Sequence, residues 1–239
     1  MLCRLAGYVF DIKAKHTYIP RLCHDYIVEN GADVDFTVSV TEEELAAEAI
    51  RQPTQRAPYL EGTCAIRQIT DWLAPRGVVL LHAAVVCVDG VAYAFSAPSG
   101  TGKSTHVCLW LEMLKERAFV LNGDKPFLKK EADGTLRVYG SPWCGKEGWN
   151  RNTSAPLGGL CFLERAAGNR IRRMAPSEGV VRIFSQLLRP STMDGVDATL
   201  TMANDVLTQV PVWLLGCNIS KEAAELSFGA MHGGGKDML

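Results

Sequence analysis

Hydrophobic and polar residues alternate in two early segments, Gly7–Ile12 and Asp33–Val40, with the two-residue period of half-buried strands. Thr41-Glu42-Glu43-Glu44 has the form of a capping box, so a short helix is expected from there to about Ile50. Pro53 ends it, and Pro58 is expected to keep the next stretch open. Ala65, Ile66, Ile69, Trp72 and Leu73 fall at helical spacing before Pro75 and the turn at Arg76-Gly77. Val78–Val88 is apolar throughout except for His82, and reads as one buried strand. Asp89-Gly90 then joins it to Val91–Phe95, a strong hairpin signal, because that pair tolerates the positive φ of a tight turn.

Ser104–Lys115 is helical and apolar nearly all round, which predicts burial on more than one side. Short strands follow at Phe119–Leu121, in a hairpin of 126–128 with 136–139 about Asp133-Gly134, and at Leu157–Leu163. Helices are expected over 177–189 and 192–208, the second entered through Ser191-x-x-Asp194. Val212–Cys217 is a late buried strand, a helix starts after Ser220, and the tail from His232 is expected to fray. This reading divides the chain into a small β-rich segment (1–60), a larger α/β domain (61–232) and a flexible tail (233–239).

Composition narrows the class without naming an activity. The 239 residues are 47% hydrophobic and 21% charged, ordinary values for a folded globule. A net charge of -1 argues against a nucleic-acid-binding protein, which would show a basic excess. The eight cysteines form no C-x-x-C pair, so neither a zinc site nor a redox dithiol is signalled, and several sit inside apolar runs. They read as reduced thiols of a cytoplasmic protein. The start Met1-Leu2-Cys3-Arg4 leads into no long apolar run, so no signal peptide is expected, and Val78–Val88 is too short to span a membrane.

The candidate chemistry lies in Ser96–Thr105, between a strand and a helix. Gly100 and Gly102 let backbone N–H groups approach phosphate oxygens, and the helix directs its positive dipole end at the anion. Lys103 can reach the β- and γ-phosphates of ATP, and the Ser104 hydroxyl can ligate Mg²⁺. The strict G-x-x-x-x-G-K-[ST] pattern would place its first glycine at Ala97, so the match is one residue short. Pro98, Ser99, Gly100, Thr101, Gly102, Lys103, Ser104 and Thr105 are the candidate nucleotide-binding residues. A phosphoryl-transfer site also needs an acid for the metal at the end of the next strand, and Asp124 lies there. Asn122-Gly123-Asp124 by itself reads as a turn; after this loop and helix it reads as the metal-binding acid.

Three elements together resemble the group of HPr kinase/phosphorylase and ATP-dependent phosphoenolpyruvate carboxykinase. They are the hairpin feeding the loop (Leu81-His82-Ala83-Ala84, Asp89-Gly90, then Ser96–Thr105), Gly123-Asp124-Lys125-Pro126, and Gly140-Ser141-Pro142-Trp143-Cys144-Gly145-Lys146-Glu147. The last is similar to a Gly-Thr-Pro-Trp-x-Gly-Lys stretch in a branch of small HPr-kinase-like proteins. The resemblance covers about residues 62–230, most firmly 80–147. It implies an α/β P-loop domain of that type, with a mixed β-sheet and flanking helices. It further implies that Gly100, Gly102 and Lys103–Thr105 cradle the phosphates of ATP, that Asp124 binds Mg²⁺, and that His82 lies near the phosphates.

The chain departs from that pattern at the family's paired aspartates, where it has one carboxylate beside Gly123 or Lys125. His82 and Glu147 are the candidates to replace the missing acid as catalytic groups beside Lys103 and Asp124. No Arg-Gly-x-Gly stretch like the HPr kinase signature occurs, so HPr is not implied as substrate. Trp143, Lys146, Glu147, Trp149 and Arg151 crowd a glycine-rich loop, readable as an acceptor-binding lid or as a structural loop. Arg165, Arg170, Arg172 and Arg173 read as a solvated face. The expected activity is ATP- and Mg²⁺-dependent phosphoryl transfer to a hydroxyl of a small molecule, peptide or protein, with homo-oligomerisation left open. The alternatives are a nucleotide-binding sensor or degenerate kinase without transfer, and a phosphorylase using phosphate or pyrophosphate.

Overall fold

The computed structural model of the protein describes residues 1–29 and 31–233, which fall into two units. The first comprises Met1–Val78 and Arg189–Ala198; the second comprises Val79–Leu188 and the residues from Thr199 on. In the first, β1 (Leu2–Leu5) and β2 (Tyr8–Ile12) form an antiparallel hairpin about Ala6-Gly7. A short helix, α1 (Tyr18–Leu22), leads to β3 (Phe36–Val38), which pairs with β2 in parallel. The capping box forms as expected at the start of α2 (Glu42–Arg51): Glu44 N–H donates to Thr41 Oγ1, and Thr41 N–H donates to the Glu44 carboxylate.

The next helix, α3 (Ala57–Leu73), begins eight residues before the predicted periodicity and includes Pro58 in its first turn. A proline there forgoes only an N–H that has no helical partner, so Pro58 starts this helix instead of holding the chain open. Leu73, Ile69 and Ala65 are buried along its length. Trp72 stacks with Phe36 and meets Phe10 edge-on.

The second unit is built on a mixed sheet. Its strands are β4 (Val78–Leu80), β5 (Ala84–Val88), β6 (Val91–Ser96), β7 (Ala118–Asn122), β8 (Phe127–Lys130), β9 (Leu136–Tyr139), β10 (Ser154–Arg165), β11 (Arg170–Arg173) and β12 (Val212–Cys217). The spatial order β4-β8-β9-β10-β6-β5-β7 is extended where β12 joins β10 in parallel and β11 joins β12. Asp89 and Gly90 both take positive φ, 50° and 84°, and close the β5–β6 hairpin as their sequence predicts.

Alternate residues of β5 enter different cores. Val85 and Cys87 pack with Ile183, Met202 and Val206 of α5 (Pro176–Gln186) and α6 (Met193–Gln209). Val86 and Val88 pack with Trp110 and Ala224 of α4 (Lys103–Leu114) and α7 (Lys221–Gly233). Helices therefore cover both faces, which explains why this strand reads as apolar at every position.

Several expected boundaries move. The apolar run 78–88 is two strands, because Leu81–Ala83 leaves the ladder between β4 and β5. The Leu157–Leu163 strand extends to Ser154–Arg165. Thr192, not Ser191, caps α6, its hydroxyl accepting from Gly195 N–H; Ser191 donates to Asp71 instead. His232 and Gly233 continue α7, and residues 234–239 of the expected tail lie outside the described residues. All eight cysteines are free thiols, six of them buried. Among the described residues, no helix is long and apolar enough to cross a membrane.

Candidate functional site

The break in the apolar run is where the site is assembled. Leu81–Ala83 threads between two other segments and bonds to both. Leu81 N–H donates to Pro126 O and Ala83 N–H to Asp124 O on one side. On the other, His82 N–H donates to Gln186 O at 2.7 Å, and Leu188 N–H returns to Leu80 O. Three stretches distant in sequence thus run side by side, with Asp124, His82 and Gln186 in one row.

The glycine-rich loop between β6 and α4 faces that row. Gly100 and Gly102 have φ of 78° and 123°, conformations that L side chains rarely adopt, and a Cβ on either would meet open space. The constraint at both positions is backbone conformation, not crowding. The Thr101 hydroxyl donates to Pro98 O, while the guanidinium of Arg165, from the end of β10, donates to Gly100 O and Thr101 O. Arg165 therefore clamps the outward carbonyls of the loop, a role beyond the solvated face expected of it. Arg170, Arg172 and Arg173 are exposed on β11, and Arg172 pairs with Glu178.

Lys103 opens α4 and is 9% exposed. Its Nζ donates to Ala97 O at 2.8 Å and lies 3.2 Å from His82 Nε2. Burial pushes the pKa of this ammonium below its ordinary value; Asp124 and Glu147 oppose that and Lys125 adds to it. His82 Nε2 also lies 3.3 Å from Asp124 Oδ1, and Lys125 Nζ donates to Asp124 Oδ2. Burial alone would raise the Asp124 pKa, but the hydrogen bonds with His82 and Lys125 outweigh it and hold the carboxyl at about 2. Asp124 is therefore ionised at neutral pH.

The turn that carries Asp124 is held by Asn122, which is fully buried. Its Oδ1 accepts from Asp124 N–H and Lys125 N–H, and its Nδ2 donates to Ser141 O. Asn-Gly-Asp is thus an Asx turn, and its Asp124 lines the cleft. Gly123 is required by contact, since a Cβ there would stand 2.7 Å from Cys144 O. Gly123→Ala should therefore lower the unfolding free energy by about 1–3 kcal/mol, the usual cost of overpacking, and displace Asp124. Thermal denaturation measures the first effect.

The 140–151 segment supports this turn. Gly123 N–H donates to Trp149 O and Lys125 N–H to Trp143 O. Trp143 is buried and Arg151 lies over the Phe119 ring, so neither takes the lid position considered for them. Gly145, Lys146 and Glu147 do reach the cleft.

Ser99, Gly100, Gly102, Lys103, Ser104 and Thr105 line that cleft together with His82, Asp124 and Glu147, around about 460 Å³. Across the loop, a less polar cleft of about 590 Å³ shares Gly100, Gly102 and Thr105. It runs to Leu109 of α4 and to Leu163, Ala166, Asn218 and Ile219 at the carboxyl ends of β10 and β12. Gln186 carries no signal in the sequence, and Asn122, Ser96 and Arg165 stand there only as a turn residue, the start of the loop segment and part of a charge run. Ser96 donates to His82 O at 2.8 Å.

No protein-family model matches the chain, and no curated protein sequence matches it. Among solved structures, the Hpr(Ser) kinase/phosphatase from Coxiella burnetii is similar over 66% of this chain and 97% of that one, with 11% identity and a TM-score of 0.39.

Proposed function

We propose that this chain is an ATP- and Mg²⁺-dependent kinase that transfers the γ-phosphoryl group to a hydroxyl of a small molecule, peptide or protein. One observation carries the reading. A buried lysine at a helix N-terminus, a loop held open by two positive-φ glycines, and an ionised aspartate beside a histidine converge on one cleft. A triphosphate fits that chemistry: backbone N–H groups and the Lys103 ammonium bind its oxygens.

The donor set also fits Mg²⁺. Among the described residues, no cluster of three or more His, Cys, Asp or Glu could hold a metal alone. Mg²⁺ is commonly held by one or two carboxylates plus substrate phosphates and water, so Asp124 and the Ser104 hydroxyl would hold it. When bound, the ion neutralises charge on the phosphoryl oxygens. Lys103 stabilises the charge that develops on the transferred group. His82 Nε2 accepts the proton of the attacking hydroxyl as its oxygen bonds to the γ-phosphorus and the bond to the ADP oxygen breaks. Glu147, which lines the same cleft, is placed to orient the acceptor. Catalysis of this kind is mostly positioning and electrostatics.

The neighbouring 590 Å³ cleft takes the nucleoside, because it is less polar and continuous with the same loop. Ala166→Trp should then weaken ATP binding by about tenfold and leave inorganic tripolyphosphate binding unchanged, as read by calorimetry. The test of the whole reading is a γ-labelled ATP screen against amino acids, peptides and cell lysate, with Mg²⁺. Label transfer, or slow ATP hydrolysis without an acceptor, supports it. A second reading, a nucleotide-binding module without transfer, draws on the lone carboxylate and on Lys125 occupying one of its oxygens. Tight ATP binding with neither hydrolysis nor labelling selects that module.

A further inference from the structure

We infer that the open edge of β11 docks an extended acidic peptide segment as an added antiparallel strand, with carboxylates of the peptide meeting Arg170 and Arg173. The inference is independent of the kinase reading. β11 is the last strand on its side of the sheet: it pairs with β12 and, among the described residues, with no other strand. Met174 N–H donates to Val212 O, in line with the ladder. Main-chain groups alternate in direction along a strand, so Arg172 and Arg170 also bond towards β12, and the N–H and C=O groups of Ile171 and Arg173 face outward. Among the described residues, no main-chain group pairs with either outward N–H. Arg173 O receives only the Arg172 guanidinium, at 3.4 Å, and a carbonyl oxygen has a second lone pair to offer. A segment laid along this edge can thus exchange main-chain hydrogen bonds with both residues.

The side chains select what can lie there. β11 carries three arginines in four residues, all exposed, in a chain whose net charge is -1. Ile171 packs inward with the cluster around Trp110 and Ala224, which anchors the strand. Arg172 is paired on both guanidinium arms with Glu178. Arg173 lies over the Trp213 ring, 5.4 Å from its centroid, and among the described residues neither it nor Arg170 has a carboxylate partner. These two cations stand three residues apart, so they project from opposite faces of the strand. An antiparallel segment meets both when its own acids are three residues apart.

A second copy of the chain is a poor occupant. Every antiparallel register that joins the outward groups of two β11 strands sets an arginine opposite an arginine, and like charges directly opposite are destabilising. Charge on an edge strand guards against pairing with its own kind, and the same charge favours an acidic strand.

The test is fluorescence anisotropy of the full chain with a labelled, end-blocked peptide, Thr-Val-Glu-Thr-Val-Glu-Thr-Val. In the register that sets its two glutamates opposite Arg173 and Arg170, the central Val faces Ile171 and its N–H points at the edge, while the Thr between the glutamates turns its N–H away. N-methylation of the central Val should raise Kd by at least about tenfold, and N-methylation of that Thr should leave it within about twofold. The double variant Arg170→Glu with Arg173→Glu should also raise Kd by at least about tenfold, and should bind the peptide with lysines in place of glutamates instead. Equal Kd for the two methylated peptides overturns the inference, because it marks charge attraction without strand pairing. So does equal binding of the lysine peptide by the native chain, or no binding at about 1 mM peptide. Sedimentation showing a dimer that the charge-reversed variant loses would give the edge to a second copy, and overturns it as well.

Discussion

Lys103→Ala should abolish nucleotide binding in this protein while leaving its fold intact. Calorimetric titration with Mg-ATP should show Kd raised by at least about 10²-fold, since a desolvated charge-assisted contact to phosphate is worth about 2–4 kcal/mol or more. Label transfer should fall further, because the same ammonium stabilises charge that appears only in the transition state.

The stability arm gives this prediction its discriminating power. Burial pushes the Lys103 pKa down, so the protonated side chain is disfavoured in the fold relative to the unfolded chain. That cost is present at neutral pH and fades only as pH rises through the ordinary value of 10.5, where the side chain is neutral in both states. Removing the group therefore should not lower the melting temperature appreciably. A buried lysine kept at a cost, beside a main-chain carbonyl and a histidine, is what a ligand site requires and a core does not. An unchanged Kd for ATP would remove Lys103 from the site. A lower melting temperature with the same Kd would make it a structural residue.

Much of this site could be read locally, and the rest could not, for a definite reason. The capping box at Thr41, the Asp89-Gly90 turn and the loop through Gly102 are each decided by a few neighbouring residues, and each formed as expected. The local turn around Asp124 was legible too, since the side-chain oxygen of Asn122 can accept from the N–H groups that follow it. Pro58 went the other way because a proline has two meanings, breaker and helix starter, and packing of α3 chooses between them.

His82 was picked out by family resemblance, but nothing near it could show that the strand breaks there. The break is imposed by Asp124–Pro126 and Gln186–Leu188, which take up the hydrogen bonds of Leu81–Ala83 from both sides. Gln186 stands 104 residues from His82 and Arg165 stands 65 from Gly100, so no local pattern marks either. Their side chains matter through a sheet order that pairs β10 with β6 and α5 with the β4–β5 break.

Asp124→Asn tests whether one carboxylate suffices where the resembled family uses two. The substitution preserves shape. An asparagine side-chain oxygen can still accept from Lys125, so that contact survives. What disappears is the negative charge among Lys103, Lys125 and His82. The fall of the Asp124 pKa from 3.8 to about 2 corresponds to roughly 2 kcal/mol of native-state stabilisation. A depressed carboxylate contributes that energy above its unfolded value and loses it as pH falls through about 2. Urea denaturation should accordingly find Asp124→Asn less stable than the native protein at neutral pH, with the gap closing progressively below about pH 5.

Transfer should suffer far more than stability. With the metal-holding acid gone, kcat should drop by about 10³-fold or more, the dependence of the residual rate on Mg²⁺ should flatten, and metal-free ATP should bind at least as well as before because a repelling charge has been removed. Full activity in Asp124→Asn would sink the metal assignment. An equal loss of stability and of metal-free nucleotide binding would show that Asp124 only ties the turn to its cations. The two arms separate because the charge acts on folding through Lys125 and His82 and on transfer through the metal, and asparagine replaces only the first set of contacts.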